Sequence, residues 1–378
     1  MPPVSRWGRR RWAAGLTVGL ALVGLWFLRS RPWPKDHGAP WGPWTFDPSV
    51  TEPLREFLQA EGDRETTQAG QGWRRGVALG LHSRDVDYDY GRLINEIAAH
   101  EADWIALVFN VFQRDGSAST MAPAMTLAEE ERLLGRSIGQ ARRAGLRVLL
   151  FPLVLLDRPR GEEWRGSLAP DDLDRWFGAY TIHTLRWAGL ARRTGAEGLC
   201  IGSELSSLER HEARWRELIE AARRVFDGEI LYSANWDHYR AVPFWDALDA
   251  VGLAGYYELS RTPEPTLEDL LETWALEREA ILDWRASVGL DLPVVFTEIG
   301  YANQDGTNMY PWDYTRRAPP DPAEQALCYD AFIRTWHGRP EFGGVFFYNW
   351  FGRADLNDPG YSPRGKPAAA LIRLWFGY

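Results

Sequence analysis

Cysteine is almost missing from this chain: Cys200 and Cys328 are the only two in 378 residues. One lies in an apolar run and the other in a helical pattern. Such a pair builds neither a disulfide framework nor a zinc signature, and both read as small buried apolar side chains. The seven histidines show no close ligand spacing, so neither a histidine metal site nor any other cofactor is expected. No glycine-rich phosphate loop follows the first strand-like run, where "ALGLHSRD" stands instead; this argues against an open dinucleotide-binding sheet. No internal repeat is present. Positive charge is also short, with 43 Lys and Arg against 52 Asp and Glu, a net of −9. Residues 1–38 hold seven basic residues and one acid, so the rest of the chain carries −15. An acidic body of this kind excludes nucleic acid as a partner.

One acidic motif imitates a metal loop. In "DVDYDYGRLINE" the residues Asp85, Asp87, Asp89 and Glu96 occupy calcium-loop offsets 1, 3, 5 and 12. The glycine required at offset 6 is Tyr90, and the pattern after it is helical from the start, so an acidic helix entry fits better.

The basic N-terminus is a separate object. Arg6, Arg9, Arg10 and Arg11 precede an uncharged apolar stretch from Trp12 to Leu28, and Arg29, Arg31 and Lys35 follow it. At a helical rise the stretch spans about 25 Å, close to a bilayer core, with Trp12 and Trp26 near the interfaces. Residues 1–38 are expected to be a cytoplasmic basic flank and signal anchor, the membrane partner of the chain. The remainder is then exported to the periplasm or beyond. Cleavage as a signal peptide is the rival, but "LWFLRSRPWP" offers no small-residue site. Residues 39–72, rich in Pro, Trp and Gly and then acidic, read as a linker with one short helical piece near Leu54–Gln59.

From residue 73 on, apolar strand runs and amphipathic helices alternate. Eight strands are expected, at Arg75–Ser83, Asp103–Gln113, Gly145–Leu156, Gly198–Gly202, Glu229–Trp236, Asp249–Leu259, "LPVVFTEIGY" and Gly343–Gly352. Close to eight helices lie between and after them, including Thr126–Ala144, Asp171–Arg193, Leu267–Ser287, Pro322–His337 and Pro367–Phe376. Continuously apolar strands mean both faces are covered. A helix after each strand forces parallel pairing with right-handed crossovers. The fold class is therefore α/β, a (β/α)8 TIM barrel over residues 73–378.

Two of these strands end in a carboxylate: "GLCIGSELSS" places Glu204 and "LPVVFTEIGY" places Glu298. Strand carboxyl ends converge on one face of a barrel. Two carboxylates meeting there suit the acid/base and nucleophile of a retaining glycosidase; two unrelated strand-end acids are the alternative. Twenty tryptophans exceed ordinary core needs and suit a groove that stacks on sugar rings. Asn235, Trp236 and Asp237 follow the fifth strand and are groove-lining candidates. His82, Asn110 and Gln113, near the ends of the first two strands, are candidate contacts to sugar hydroxyls.

At this point the chain resembles glycoside hydrolase family 113, a β-mannanase family of the retaining barrel clan. The matching segments are the Trp164-Arg165-Gly166 turn, "IGSEL", "YSANW", "GYYEL", "FTEIGY" and "NW", in order across residues 73–376. The resemblance implies Glu298 as nucleophile and Glu204 as acid/base, protonated at rest while Glu298 is ionised. It implies Tyr256 as the donor that orients Glu298, since only one of Tyr256 and Tyr257 points at the site. It implies Trp350 as the floor under the reacting sugar and Trp164 at an outer subsite. The chain departs from the pattern at Ser203, where most of the clan has Asn to hold a sugar hydroxyl. It departs again at Phe151-Pro152-Leu153, where members often read Lys-Pro-His. The expected activity is endo-hydrolysis of a β-linked polysaccharide or oligosaccharide, mannan first. Transglycosylation on the same machinery and a decayed glycan-binding barrel are the alternatives.

Overall fold

The computed structural model describes residues 48–61, 72–83, 85–352 and 354–378. The expected membrane anchor lies outside these residues; among the described residues no helix is long and apolar enough to cross a membrane.

Eight parallel strands close a barrel: β1 (Arg74–Gly80), β2 (Trp104–Gln113), β4 (Arg147–Leu156), β5 (Gly198–Ser203), β6 (Glu229–Asn235), β7 (Val251–Ala254), β8 (Val294–Ile299) and β9 (Phe342–Phe347). Closure is made by β1, which pairs with both β2 and β9. The piece the sequence pattern did not announce is β3 (Met121–Pro123), which folds antiparallel onto the end of β2. Around the barrel lie α2 (Gly91–Ala98), α3 (Leu127–Arg143), α4 (Leu173–Thr194), α5 (Glu212–Arg223), α6 (Leu267–Ser287), α7 (Pro322–Trp336) and α8 (Pro367–Phe376). Between β6 and β7 two short 3-10 turns, Tyr239–Ala241 and Trp245–Ala247, replace a helix.

The helix boundaries have local causes. Thr126 caps α3 and Thr266 caps α6, each in a reciprocal box with the acid three residues on, Glu129 and Asp269. Gly195 ends α4 with φ of 73°, a left-handed turn that glycine adopts without steric cost. Ahead of the barrel, α1 (Pro48–Glu61) is longer than the short piece expected in the linker. Its Leu54 and Leu58 are fully buried, so this part of residues 39–72 packs on the body instead of tethering it.

Strand alternation sorts side chains into two cores. The inner one fills the barrel with Ala78, Trp104, Ala106, Val108, Leu149, Phe151, Leu153, Cys200, Leu231, Val295 and Phe346. The outer one packs strands on helices. At the amino-terminal mouth Trp104 stoppers the barrel, with the guanidinium of Arg147 5.0 Å from its ring centroid and that of Arg74 5.9 Å away. Arg74 also makes two hydrogen bonds to Glu229, at 2.9 and 2.8 Å. The opposite mouth is left for the site.

Candidate active site

In β8 regular alternation points Val295 and Thr297 into the barrel and Phe296 out against Trp274 and Phe332. Glu298 should then face the helices. The ladder slips here: Leu253 pairs with Phe296 but Ala254 with Glu298, so one extra residue is absorbed in a bulge. The slip turns the Glu298 carboxylate inward. A second slip, between Cys200 and Ser203 in β5, does the same for Ser203. The next residue, Glu204, has φ of 52°, a left-handed conformation that a non-glycine residue rarely holds.

The result is one buried constellation. The Ser203 hydroxyl donates to Glu298 Oε1 at 3.0 Å, and the Tyr256 hydroxyl donates to Oε2 at 3.3 Å. Tyr257 turns the other way, packing on Trp274 and Trp236. Arg165, in the 3-10 turn Arg165–Ser167 after β4, forms an ion pair with Glu204. That turn is tied to the Glu204 loop by the Ser207 N–H, which donates to the Gly166 carbonyl at 3.0 Å.

Burial first, and the Glu204 charge second, push the Glu298 carboxyl up to about 7, against the opposing pull of Arg165, Ser203 and Tyr256. Burial alone would depress the Arg165 guanidinium, but the two carboxylates hold it above its ordinary value. The guanidinium sits on Glu204, while Glu298 is desolvated and held by the hydroxyls of Ser203 and Tyr256.

The other predicted residues divide. His82 and Asn110 come together at the ends of β1 and β2, with Asn110 Nδ2 donating to His82 Nδ1 at 3.4 Å. Burial lowers His82 to about 4, so it is neutral, and Asn110 Oδ1 is left without a partner. Asn235, Trp236 and Asp237 lie at the end of β6; burial raises Asp237, and the Glu204 charge adds to this. Trp164 is half-buried, with Arg165 5.9 Å from its ring. Ser203 donates its hydroxyl proton to Glu298, which leaves its oxygen lone pairs as acceptors.

Two expectations are corrected. Gln113 has the parity opposite to Asn110 and points out of the barrel. It is fully buried, accepting from Trp176 Nε1 at 2.7 Å and donating to the Asp115 carbonyl at 2.8 Å. Trp350 is no sugar floor: its ring is fully buried behind the barrel, 4.6 Å from His100, and donates to Glu96 at 3.0 Å. Strand β9 ends at Phe347, so alternation no longer governs that position. Glu96 is in turn gripped by the buried Arg364, far from any role with Asp85 to Asp89. Among the described residues no three His, Cys, Asp or Glu side chains are grouped to hold a metal.

Sequence reasoning missed the tyrosines of the rim. Tyr348, the last inward residue beyond β9, packs on the inner core. Burial and the Glu298 charge raise it to about 12. Tyr361 lies 6.3 Å from Tyr348 and 6.0 Å from Tyr256, and Tyr314 faces Arg165. The parity of Phe346 was the signal available for Tyr348; Tyr314 and Tyr361 come from long loops and left none.

A closed parallel barrel whose carboxyl mouth holds a buried pair of carboxylates is the architecture of barrel glycosidases. The model of glycoside hydrolase family 113 matches residues 89–361, and the chain belongs to that family. It is a glycoside hydrolase. The GH113 β-mannanase AaManA from Alicyclobacillus acidocaldarius, solved in complex with ManMIm, is 26% identical, with 82% of this chain and 98% of that chain covered and a TM-score of 0.72. Another GH113 β-1,4-mannanase is 22% identical over 81% of this chain and 99% of that chain, TM-score 0.72. A β-glucuronidase of Faecalibacterium prausnitzii shares the fold at 14% identity, covering 81% of this chain and 49% of that one, TM-score 0.51. No curated protein matches the chain.

Proposed function

We propose that this chain is a retaining, endo-acting glycosidase of a β-linked polysaccharide, with a mannan-type polymer as first candidate. It acts outside the cytoplasmic membrane on an N-terminal anchor. The observation that carries the reading is the inward-turned Glu298, buried beside Glu204 and held by Ser203 and Tyr256. Glu298 attacks the anomeric carbon. Glu204 protonates the departing oxygen and then takes the proton of the incoming water. The two mannanases of the family that resemble the chain support mannan; Leu153, held in the apolar inner core, is where a polar sugar contact is given up.

The resting ion pair makes one step specific to this site. A sugar entering the cleft must draw Arg165 off Glu204 before that carboxyl can protonate the departing oxygen.

The test is reducing-end release by residues 39–378 from mannan, glucomannan, galactomannan, xylan and mixed-linkage glucan, with Glu298→Ala as control. Release from the mannans that vanishes in the control, with products retaining the β-anomer in proton NMR, is the expected result. An α-anomer as first product would overturn retention. Products longer than the substrate would turn the reading to transglycosylation. Fractionation of cells expressing the full chain tests the anchor: recovery in the soluble fraction would reject it.

A further inference from the structure

Behind Glu204 lies a second buried carboxylate that the reaction does not use. Glu209 is fully buried. Its Oε1 accepts from the Tyr232 hydroxyl at 2.7 Å, and its Oε2 contacts His238 Nδ1. Tyr232, also fully buried, points outward from β6 among Trp215, Phe244 and Trp245. Its oxygen accepts from the Leu205 N–H at 3.1 Å.

The direction of this chain is fixed by chemistry. A phenol has one proton. A carboxylate that takes it leaves only lone pairs to face the peptide N–H. Glu209 thereby makes Tyr232 an acceptor at Leu205, the peptide that immediately follows Glu204. The peptide before Glu204 is pinned from the other side, its N–H donating to the Ser233 carbonyl at 2.8 Å. Both flanks of the left-handed residue are thus tethered to β6. A strained backbone persists only where its surroundings over-determine it, and a buried carboxylate is costly unless it is fully partnered. Packing alone does not require an acid at position 209. Through His238 the same carboxylate reaches the loop bearing Asn235, Trp236 and Asp237, where the His238 N–H donates to the Asn235 carbonyl at 2.9 Å.

We infer that Glu209, acting through Tyr232, is a positioning residue for Glu204: it holds the acid/base in its left-handed turn and, through His238, locks that turn to the sugar-facing loop after β6. The inference rests on the glycosidase reading and deepens it.

The test separates proton donation from everything else. Aryl β-mannobiosides, or aryl β-biosides of whichever sugar the polysaccharide panel releases, are compared with a 2,4-dinitrophenyl and a phenyl leaving group. Dinitrophenolate departs without a proton; phenolate needs one. Tyr232→Phe removes only the hydroxyl and keeps the packed ring. Glu209→Gln keeps an acceptor oxygen, and Glu209→Leu keeps none. Tyr232→Phe and Glu209→Leu are expected to lower kcat/KM on the phenyl substrate by roughly 10–100-fold and on the dinitrophenyl substrate by less than about 3-fold. Azide, an anion that needs no general base, should restore kcat on the dinitrophenyl substrate. Glu209→Gln should recover most of the loss. An equal loss on both substrates, or none on either, overturns the inference while leaving the glycosidase reading in place. Wild-type protein inactive on every substrate overturns the glycosidase reading, and this inference with it.

Discussion

The two mouths of the barrel are built from the same residue types and do opposite things. At the amino-terminal mouth Arg74 meets Glu229 through two hydrogen bonds, Arg147 lies 3.6 Å from Asp103, and both guanidinia cover Trp104. Each acid there has at least one cation of its own, and Asp103 pairs with Arg75 as well, at 3.3 Å. At the carboxyl-terminal mouth one guanidinium, Arg165, serves both Glu204 and Glu298. Burial first, and the uncompensated Glu204 charge second, raise Glu298 to about 7. What separates scaffold from reaction centre is burial together with charge balance, since a desolvated carboxyl beside a second one holds its proton more tightly.

The comparison breaks most completely at Glu298. Glu298→Ala should lower kcat by about 10⁴-fold or more, as nucleophile losses do, while Glu229→Ala should leave kcat within about 2-fold; steady-state rates on the polymer that the panel identifies check both. The next effect is on stability. The Glu298 carboxyl has its ordinary 4.5 when unfolded and about 7 when folded. The folded state therefore holds the proton more tightly. The stability this confers is full below pH 4.5 and is lost as pH rises to about 7. Glu298→Gln should flatten that slope, gaining roughly 2–3 kcal/mol over wild type at pH 8 and little at pH 4; urea unfolding at the two pH values reads it.

Arg74→Leu tests the balanced mouth. It strands a partly buried Glu229 and should cost about 1–3 kcal/mol of stability with kcat unchanged, whereas Arg165→Gln, which strands the more deeply buried Glu204, should cost stability and lower kcat as well. Since Arg165 pulls the Glu298 value down, its loss should move the limb of kcat/KM that reports Glu298, near pH 7, to higher pH. A limb that stays put would show that Arg165 does not govern the pair. The smallest effect belongs to Trp350→Phe, which removes one buried donor from Glu96 and should cost about 1 kcal/mol without changing KM. A large rise in KM would return that ring to the cleft.

The barrel was legible because buried parallel strands are continuous apolar runs. Leu267–Ser287 and Pro367–Phe376 were read to the residue, and every barrel strand was found. The two glutamates were legible as strand-end acids, but their aim was not. Both rely on register slips, and a bulge has no periodicity of its own to be read. Gln113 could have been set aside from sequence alone, because three residues separate it from Asn110 and one strand cannot point both inward. Trp350 failed for another reason: it was carried over from the "NW" motif, and the strand had already ended at Phe347, so no alternation fixes its direction. Arg165 stood inside a quoted motif without a role, since a loop side chain declares its target only once the loop is folded. Tyr256 was chosen over Tyr257, and its hydroxyl lies on Glu298.

Trp104 makes the barrel a cup with one doorway. Water and sugar reach Glu298 over the same rim, above the packed inner core and Trp104. On the proposed retaining mechanism, a polymer lying across that rim regulates its own fate: while the outgoing half lingers it shades the glycosyl-enzyme from water, and whatever next occupies the doorway becomes the acceptor. Whether such a site degrades chains or splices them is decided by traffic at the threshold, before any change in the two carboxylates.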